Sequence, residues 1–481
     1  MNFKAVAQQI AALLGIITFL FLGPLGLAIY DGDESSAIAY GATFLVFVGF
    51  TGIARFHGGK KRFDISRREA LLVVTAIWIF VGFGGALPFY IEGSIKSFPG
   101  AVFESVSGLT TTGATVVADV ESLSRATNLW RCLSHWIGGM GIVVLFVAIF
   151  PQTGVGGKQF FRNESAGPIN SRVRPRIRDS ALALWWIYCF LTVACALSLY
   201  FAGMSVFDAI CHAFSTLGTG GFSTKANSIG HFNNPTIEWV VAGFMFVAGL
   251  NFALFFSLLR DAGKSLFWNS EFRVYLFANM FIAGIIAVSL SDDTSGFMEA
   301  VRLAIFQTLA VSTSAGFMTD DFNAYPSYAK FLLFVAMFVG GCAGSTAGGL
   351  KVIRMIILFK LTLREIRRSI LPQEVSVVRH EGKPIVSGII HGVTVYFVAY
   401  FFIFFLCSFL MTVAGYPMLD AMSSVVACLS SIGPGFNSFG PTQSFAHVPG
   451  WAKYVLCFCM IAGRLEIIVL FAPFTKTFWK R

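Results

Sequence analysis

Long apolar runs, free of charge and separated by short polar stretches, dominate this chain. They cover Ala5–Tyr30, Ser35–Ala54, Ala70–Ile91, Cys132–Gly157, Ser180–Phe207, Trp239–Leu259, Val274–Ser291, Phe331–Leu350 and Pro384–Leu419. A tenth run, Tyr454–Thr475, is interrupted only by Arg464 and Glu466. A helix crossing a bilayer needs about 20 such residues, so the pattern predicts ten spans. Two further uncharged stretches, Leu303–Thr319 and Ala421–Ala452, lie between spans and are rich in Gly, Ser and Thr. They read as segments that dip into the membrane and return. Composition agrees with this pattern: 56% of the 481 residues are apolar and 12% are charged. Soluble domains carry about a quarter charged residues. The expected fold class is an all-α polytopic membrane protein. The first run is too long, and lacks the small-residue cleavage site, for a removable signal peptide.

Charge then orients the spans. Alternate loops collect a formal +18 on the side of the N-terminus and −8 on the other, with Arg464 and Glu466 cancelling within the last span. Basic loops stay in the cytoplasm, so both termini are expected inside. The acidic outer face would concentrate cations. The nine cysteines sit in or beside apolar runs, and neither they nor the seven histidines have metal-ligand spacing.

Internal repetition carries the functional reading. Four segments align without gaps: Ala101–Thr115, Ala209–Ser223, Ala304–Met318 and Ser423–Asn437. Each offers about two turns of helix and then a stretch of Gly and hydroxyl residues, ending at Gly113, Gly221, Gly316 and Gly435. Each lies between two spans on the acidic side. The chain thus divides into an N-terminal two-span hairpin (1–66) and four pore units at 67–178, 179–269, 270–382 and 383–481. Every unit runs span, pore loop, span. All four point the same way, which implies a pseudo-four-fold arrangement with the loops meeting on one axis.

The chemistry of such loops suits a cation. Irregular backbone at membrane depth survives only inside protein or beside a water-filled path. The C-terminal ends of four short helices carry partial negative charge, and the carbonyls that follow replace an ion's hydration shell. The candidate filter residues are Thr110, Thr111, Thr112 and Gly113; Gly218, Thr219, Gly220 and Gly221; Thr313, Ser314, Ala315 and Gly316; and Ile432, Gly433, Pro434 and Gly435. None is a carboxylate, which favours K⁺ over Ca²⁺ or Mg²⁺.

Two features point to a gate. The second span of the third unit contains GGCAGSTAGG, with Gly340, Gly341, Gly344, Gly348 and Gly349 around Ser345 and Thr346. Glycine costs about 1 kcal/mol per residue against Ala in a helix, so the span should break there. Close helix packing through GxxxG spacing is the plainer alternative. Lys351 follows and adds positive charge. Arg464 is the second feature. It lies roughly 20 Å of helix beyond Trp451, too deep to reach water easily, and must face protein or a wet cavity. At two residues apart, Arg464 and Glu466 do not share a helix face, so a bond to another helix is the plainer alternative.

These residues carry a resemblance. FESVSGLTTTGAT at 103–115, SHWIGGMGIVVL at 134–145, FSTLGTGGFST at 214–224, STSAGF at 312–317, GGCAGSTAGGLKVIR at 340–354, SIGPGFNSFGP at 431–441 and GRLEI at 463–467 are similar to the Trk/Ktr/HKT superfamily of potassium transporters, Trk type. The resemblance spans essentially the whole chain. It implies one filter glycine per unit, matching Gly113, Gly221, Gly316 and Gly435. It also implies an intramembrane loop at 340–349 that plugs the path, with Arg464 at the constriction. It further implies K⁺ as the transported ion, a bacterial inner-membrane location and a homodimer. A cytosolic regulatory subunit of the TrkA kind, binding NAD or ATP, is implied as partner. No nucleotide site is legible in this chain: GVGGK at 154–158 lacks the spacing of a phosphate loop. The basic segments 351–383 and 172–178 read first as the positive-inside signal and could equally bind anionic lipid headgroups; no nucleic-acid partner is expected. A Na⁺-permeable or ion-coupled relative is the alternative function. A proton-driven solute carrier would show inverted repeats, and an enzyme a nucleophile and base.

Overall fold

The computed structural model describes all residues except 60–64, 150–172, 256–266, 293, 295, 375 and 481. The GVGGK segment, most of the basic loop before residue 173 and the ends of the fourth and sixth expected spans lie outside the described residues. What is described is helical apart from a ribbon of two short strands, β1 (Arg379–His380) and β2 (Lys383–Pro384), paired antiparallel.

The N-terminal hairpin is α1 (Phe3–Leu20), continued by α2 (Leu22–Asp31), against α3 (Glu34–Gly58). It docks on α4 (Arg67–Gly84) through its first residues. Glu69, in the capping box that Ser66 begins, also accepts the Asn2 N–H at 2.6 Å. After the short α5 (Leu87–Glu92) come a half-length helix, α6 (Phe98–Leu109), and a long one, α7 (Arg125–Ile149). The order then repeats. Long α8 (Val173–Phe201), half-length α9 (Val206–Gly218) and α10 (Pro235–Ala248) follow. Next come α11 (Ser270–Leu290), half-length α12 (Phe297–Ser312) and α13 (Ser327–Val339), which leads through an irregular segment to α14 (Val352–Ile370). Last are α15 (Ser387–Val413), half-length α16 (Met418–Leu429), α17 (Gly450–Arg464) and α18 (Ile467–Phe471).

Among the described residues six helices are long and apolar enough to cross a membrane. The final run is a broken pair, α17 and the stretch 467–474, bent by 112°. The sixth and eighth expected spans are helices of 14 and 13 residues. Helices α6 and α16 have 12 residues each, about 18 Å of length, too short to cross. They are buried almost throughout, while the long helices leave outer aromatic and aliphatic faces exposed. That inversion, with polar turns inside and Phe outside, is what a lipid solvent demands. All nine cysteines are free thiols.

Candidate functional site: a ring of four turns and the loop beneath it

Each half-length helix ends in the same way. Its closing turn places one hydroxyl residue in the left-handed region: Thr111 (φ 55°), Thr219 (53°), Ser314 (54°) and Ser431 (55°). A non-glycine residue pays about 1–2 kcal/mol for this conformation. Hydrogen bonds back onto the parent helix offset the strain. The N–H groups of Thr111, Thr219, Ser314 and Ser431 donate to the carbonyls of Gly108, Thr216, Val311 and Cys428, at 3.1 to 3.3 Å. One residue on, Thr112, Gly220 and Ile432 donate to Ser107, Ser215 and Ala427 at 2.8 to 2.9 Å. In the third turn Gly316 makes the matching bond to Ala310 at 2.9 Å.

Two residues after each hydroxyl comes a glycine with positive φ: Gly113 (80°), Gly221 (80°), Gly316 (67°) and Gly433 (101°). These four touch in sequence. A Cβ on Gly113 would strike the Gly220 carbonyl oxygen; on Gly221, that of Ala315; on Gly316, that of Ile432; and on Gly433 it would lie 2.7 Å from that of Thr112. The contacts run from first turn to second, third, fourth and back to first. They close a ring.

The fourth turn corrects the alignment. Gly435 does not have the left-handed conformation; Gly433 does, and it occupies the ring position. Gly435 lies beyond, packed on Ser423. The equivalent residues are therefore Ser430, Ser431, Ile432 and Gly433. Pro434 corresponds to Ala114, and its ring stands beside Gly316. The turn hydroxyls look back toward their helices: Thr110 and Thr313 donate to Val106 and Leu309, both at 2.7 Å. An open cavity of about 80 Å³ touches all four ring glycines from one side.

The other side of the turns meets the irregular segment 340–351, which joins α13 to α14. Gly340, Gly344, Gly349 and Lys351 have positive φ (73°, 75°, 77° and 73°), so no helix passes through. Gly348 lies against the fourth turn so closely that a Cβ would strike the Ser430 carbonyl. Its N–H donates to Ser314 Oγ of the third turn at 2.5 Å. Gly341 packs against the Gly249 carbonyl and the Ser345 side chain. Thr346 donates to the Ala248 carbonyl at 3.2 Å, and Lys351 to the Ala347 carbonyl.

Arg464 ends α17 at the bend and is buried. Its guanidinium donates to the Thr346 carbonyl at 2.6 Å and the Gly138 carbonyl at 3.1 Å, joining the segment to α7. Among the described residues it has no acidic partner. Glu466 turns instead to Arg354 at 2.7 Å, where the guanidinium also lies over Tyr396.

Comparison with known proteins decides the kinship. The TrkH family of cation transport proteins matches residues 37–284 and 293–479. The chain belongs to the TrkH family. The Trk system potassium uptake proteins TrkH of Salmonella typhimurium and Halomonas elongata are 38% and 37% identical to it, over all of both chains. The crystal structure of the potassium transporter TrkH from Vibrio parahaemolyticus superimposes with a TM-score of 0.91 at 35% identity, again covering all of both chains. The protein is thus a multi-pass, helical membrane protein.

Within this TrkH-family site, sequence reasoning missed several residues. Glu271, buried near the start of α11, accepts the N–H of Ala343 at 2.7 Å and of Ile353 at 3.2 Å, bracing both ends of the segment. An acid inside the first turn of an apolar helix was its only signal. Behind the first turn, Glu104 pairs with Arg131 at 2.8 Å, both fully buried. Glu104 also accepts the Val116 N–H at 2.9 Å and the Thr115 hydroxyl at 2.9 Å, pinning the chain as it leaves the ring. Among the described residues no cluster of His, Cys, Asp or Glu could hold a metal ion.

Proposed function

We propose that this chain takes up potassium across the bacterial inner membrane through a gated, K⁺-selective pore. The observation that carries the reading is the closed ring of four glycine turns, each at the C-terminal end of a buried half-length helix. Four such helix ends favour a cation between them. In this reading the units 67–178, 179–269, 270–382 and 383–481 surround one axis as pseudo-four-fold repeats. Carbonyls of Thr110–Gly113, Gly218–Gly221, Thr313–Gly316 and Ser430–Gly433 stand in for the ion's water. The relatives' names, potassium uptake proteins, support K⁺ as the cargo.

The 340–351 segment is the gate. It lies against the third and fourth turns on the side away from the open cavity, and Arg464 holds it there. A buried guanidinium beside the path also opposes a resting cation. The excess of basic residues on one set of loops supports a cytoplasmic location for both termini and the 351–383 segment. There a TrkA-like subunit binding NAD or ATP would act on the gate. The membrane subunit works as a homodimer in contact with anionic lipid.

The test is ion flux into liposomes holding the purified protein. Rb⁺ uptake exceeding Na⁺ uptake is expected, with a further change on adding the cytosolic subunit and nucleotide. Equal Rb⁺ and Na⁺ permeability would replace the K⁺-selective reading with the Na⁺-permeable one. Flux indifferent to the subunit would remove the regulated complex.

A further inference from the structure

One ionisable side chain at the mouth of the ring has no part in holding it together. Among the described residues, Arg131 and Lys225 are the only ionisable groups lining the open cavity over the four glycines. No carboxylate shares that lining, although the surrounding outer loops are acidic by sequence. Arg131 is neutralised in place. It pairs with Glu104, donates to Asn128 Oδ1, the Ser223 carbonyl and Thr115 Oγ1 at 3.2 to 3.3 Å, and lies 4.1 Å over the Phe222 ring.

Lys225 is different. It stands four residues after Gly221, half-buried, with its backbone N–H bound to Ser223 Oγ at 3.0 Å. Among the described residues its ammonium has neither a hydrogen-bond nor an ion-pair partner. Asp208 acts on it electrostatically without pairing with it: its carboxylate oxygens accept from the Thr224 hydroxyl at 2.6 Å and the Ser205 hydroxyl at 2.8 Å. At the matching place after the other turns stand Val117, Asp320 and Asn437, none of which lines the cavity. The mouth therefore holds, on one corner, one ammonium with no hydrogen-bonded or ion-paired counter-charge among the described residues, while Asp208 acts on it from outside the cavity lining.

We infer that Lys225 is a tethered cation that sets valence selectivity at the mouth, holding divalent cations off the ring while monovalent ions pass. The inference rests on the pore reading above. Its physical basis is that Coulomb repulsion scales with the charge of the visitor, so a divalent ion meets twice the opposition that K⁺ does. A carbonyl ring alone has no such discrimination, since its field attracts a divalent ion more strongly.

The experiment compares the whole protein with its K225Q and K225R variants in liposomes. Ba²⁺ is the probe, because it combines double charge with a size near that of K⁺. At low ionic strength K225Q should lower the half-blocking external Ba²⁺ by ~4-fold and the half-saturating Rb⁺ by only ~2-fold, for one charge removed at about 10 Å in water. K225R should behave as the unaltered protein, and raising the salt should shrink both shifts. Equal shifts for Rb⁺ and Ba²⁺, or none, overturn the inference while leaving the pore reading intact. Absence of Rb⁺ flux in the unaltered protein sinks the pore reading. The inference is then decided by heat stabilisation of the purified protein: Ba²⁺ must stabilise K225Q at lower concentration than the unaltered chain, and equal concentrations overturn it.

Discussion

The four turns of the ring and the 340–351 segment are built from the same residue types, glycine with Ser and Thr, yet they are held in opposite ways. Every turn closes on its own helix, through hydrogen bonds spanning three to six residues. Once the helix forms, the turn is set. The segment is held from far away: by Glu271 on α11, by Ser314 of the third turn, by Arg464 at the end of α17 and by the backbone of Gly249. Local closure gives one geometry four times over and leaves little to move. The segment also closes on its own base, Leu350 and Lys351 donating to the Phe338 and Val339 carbonyls at 3.0 and 2.9 Å, but its seat against the turns depends on the remote tethers. In the proposed pore, the locally closed turns would do the selecting and the remotely held segment the shutting.

The contrast can be broken at several points. The largest effect is expected from Gly316→Ala, where the added carbon strikes the Ile432 carbonyl. Rb⁺ uptake should fall ~100-fold, equivalent to ~3 kcal/mol, with the variant still inserted and monodisperse. Gly433→Ala should match it, while Gly435→Ala, outside the ring, should keep most of the uptake. Equal losses at Gly433 and Gly435 would undo the reassigned fourth turn. Next is Arg464→Ala. Freed from the Thr346 carbonyl, the segment should leave its seat and raise flux ~10-fold, a shift of ~1.4 kcal/mol; unchanged flux would remove Arg464 from the gate. Glu271→Gln keeps the shape but weakens two charge-assisted bonds, and a rise of ~3-fold in liposome flux is expected. The smallest change belongs to Ser314→Ala. It deletes the acceptor of the Gly348 N–H, a loss of about 0.5 kcal/mol at the lower end of the net range, and should raise flux about twofold with at most a small drop in the thermal midpoint. A drop in flux there would mean that the hydroxyl serves the ring and not the segment.

Much of this architecture was legible in the sequence because lipid makes spans conspicuous and because the turns recur. Hydropathy found the long helices, and repetition found the half-length ones between them. The gapless alignment went wrong at the fourth repeat, where GPG offers two glycines. Anchored on the later one, the segment misses the turn. Moving the segment two residues earlier, to begin at Ala421, aligns it with Ala101, Ala209 and Ala304, and brings Ser431 under Thr111, Thr219 and Ser314. The hydroxyl is thus a better marker than the glycine, since it is the residue forced into the left-handed region. The break at Gly340–Lys351 was also readable, from the cost of glycine in a helix. What holds it was not. Glu271 lies 72 and 82 residues before the amides it accepts. Arg354 pairs with Glu466 across 112 residues. Arg464 bonds to carbonyls, which every residue has, so no side-chain pattern could announce them.

That one chain closes the ring has a genetic consequence. A ring assembled from four identical subunits repeats every codon change at all four corners, and most such changes are ruinous. Here a mutation alters a single corner and leaves three untouched. In the proposed pore, permeation can therefore be altered one corner at a time. The four corners of this protein are correspondingly unlike: hydroxyl-rich at Thr110–Thr112, glycine-rich at Gly218–Gly221, mixed at Thr313–Ala315 and bearing a proline after Gly433.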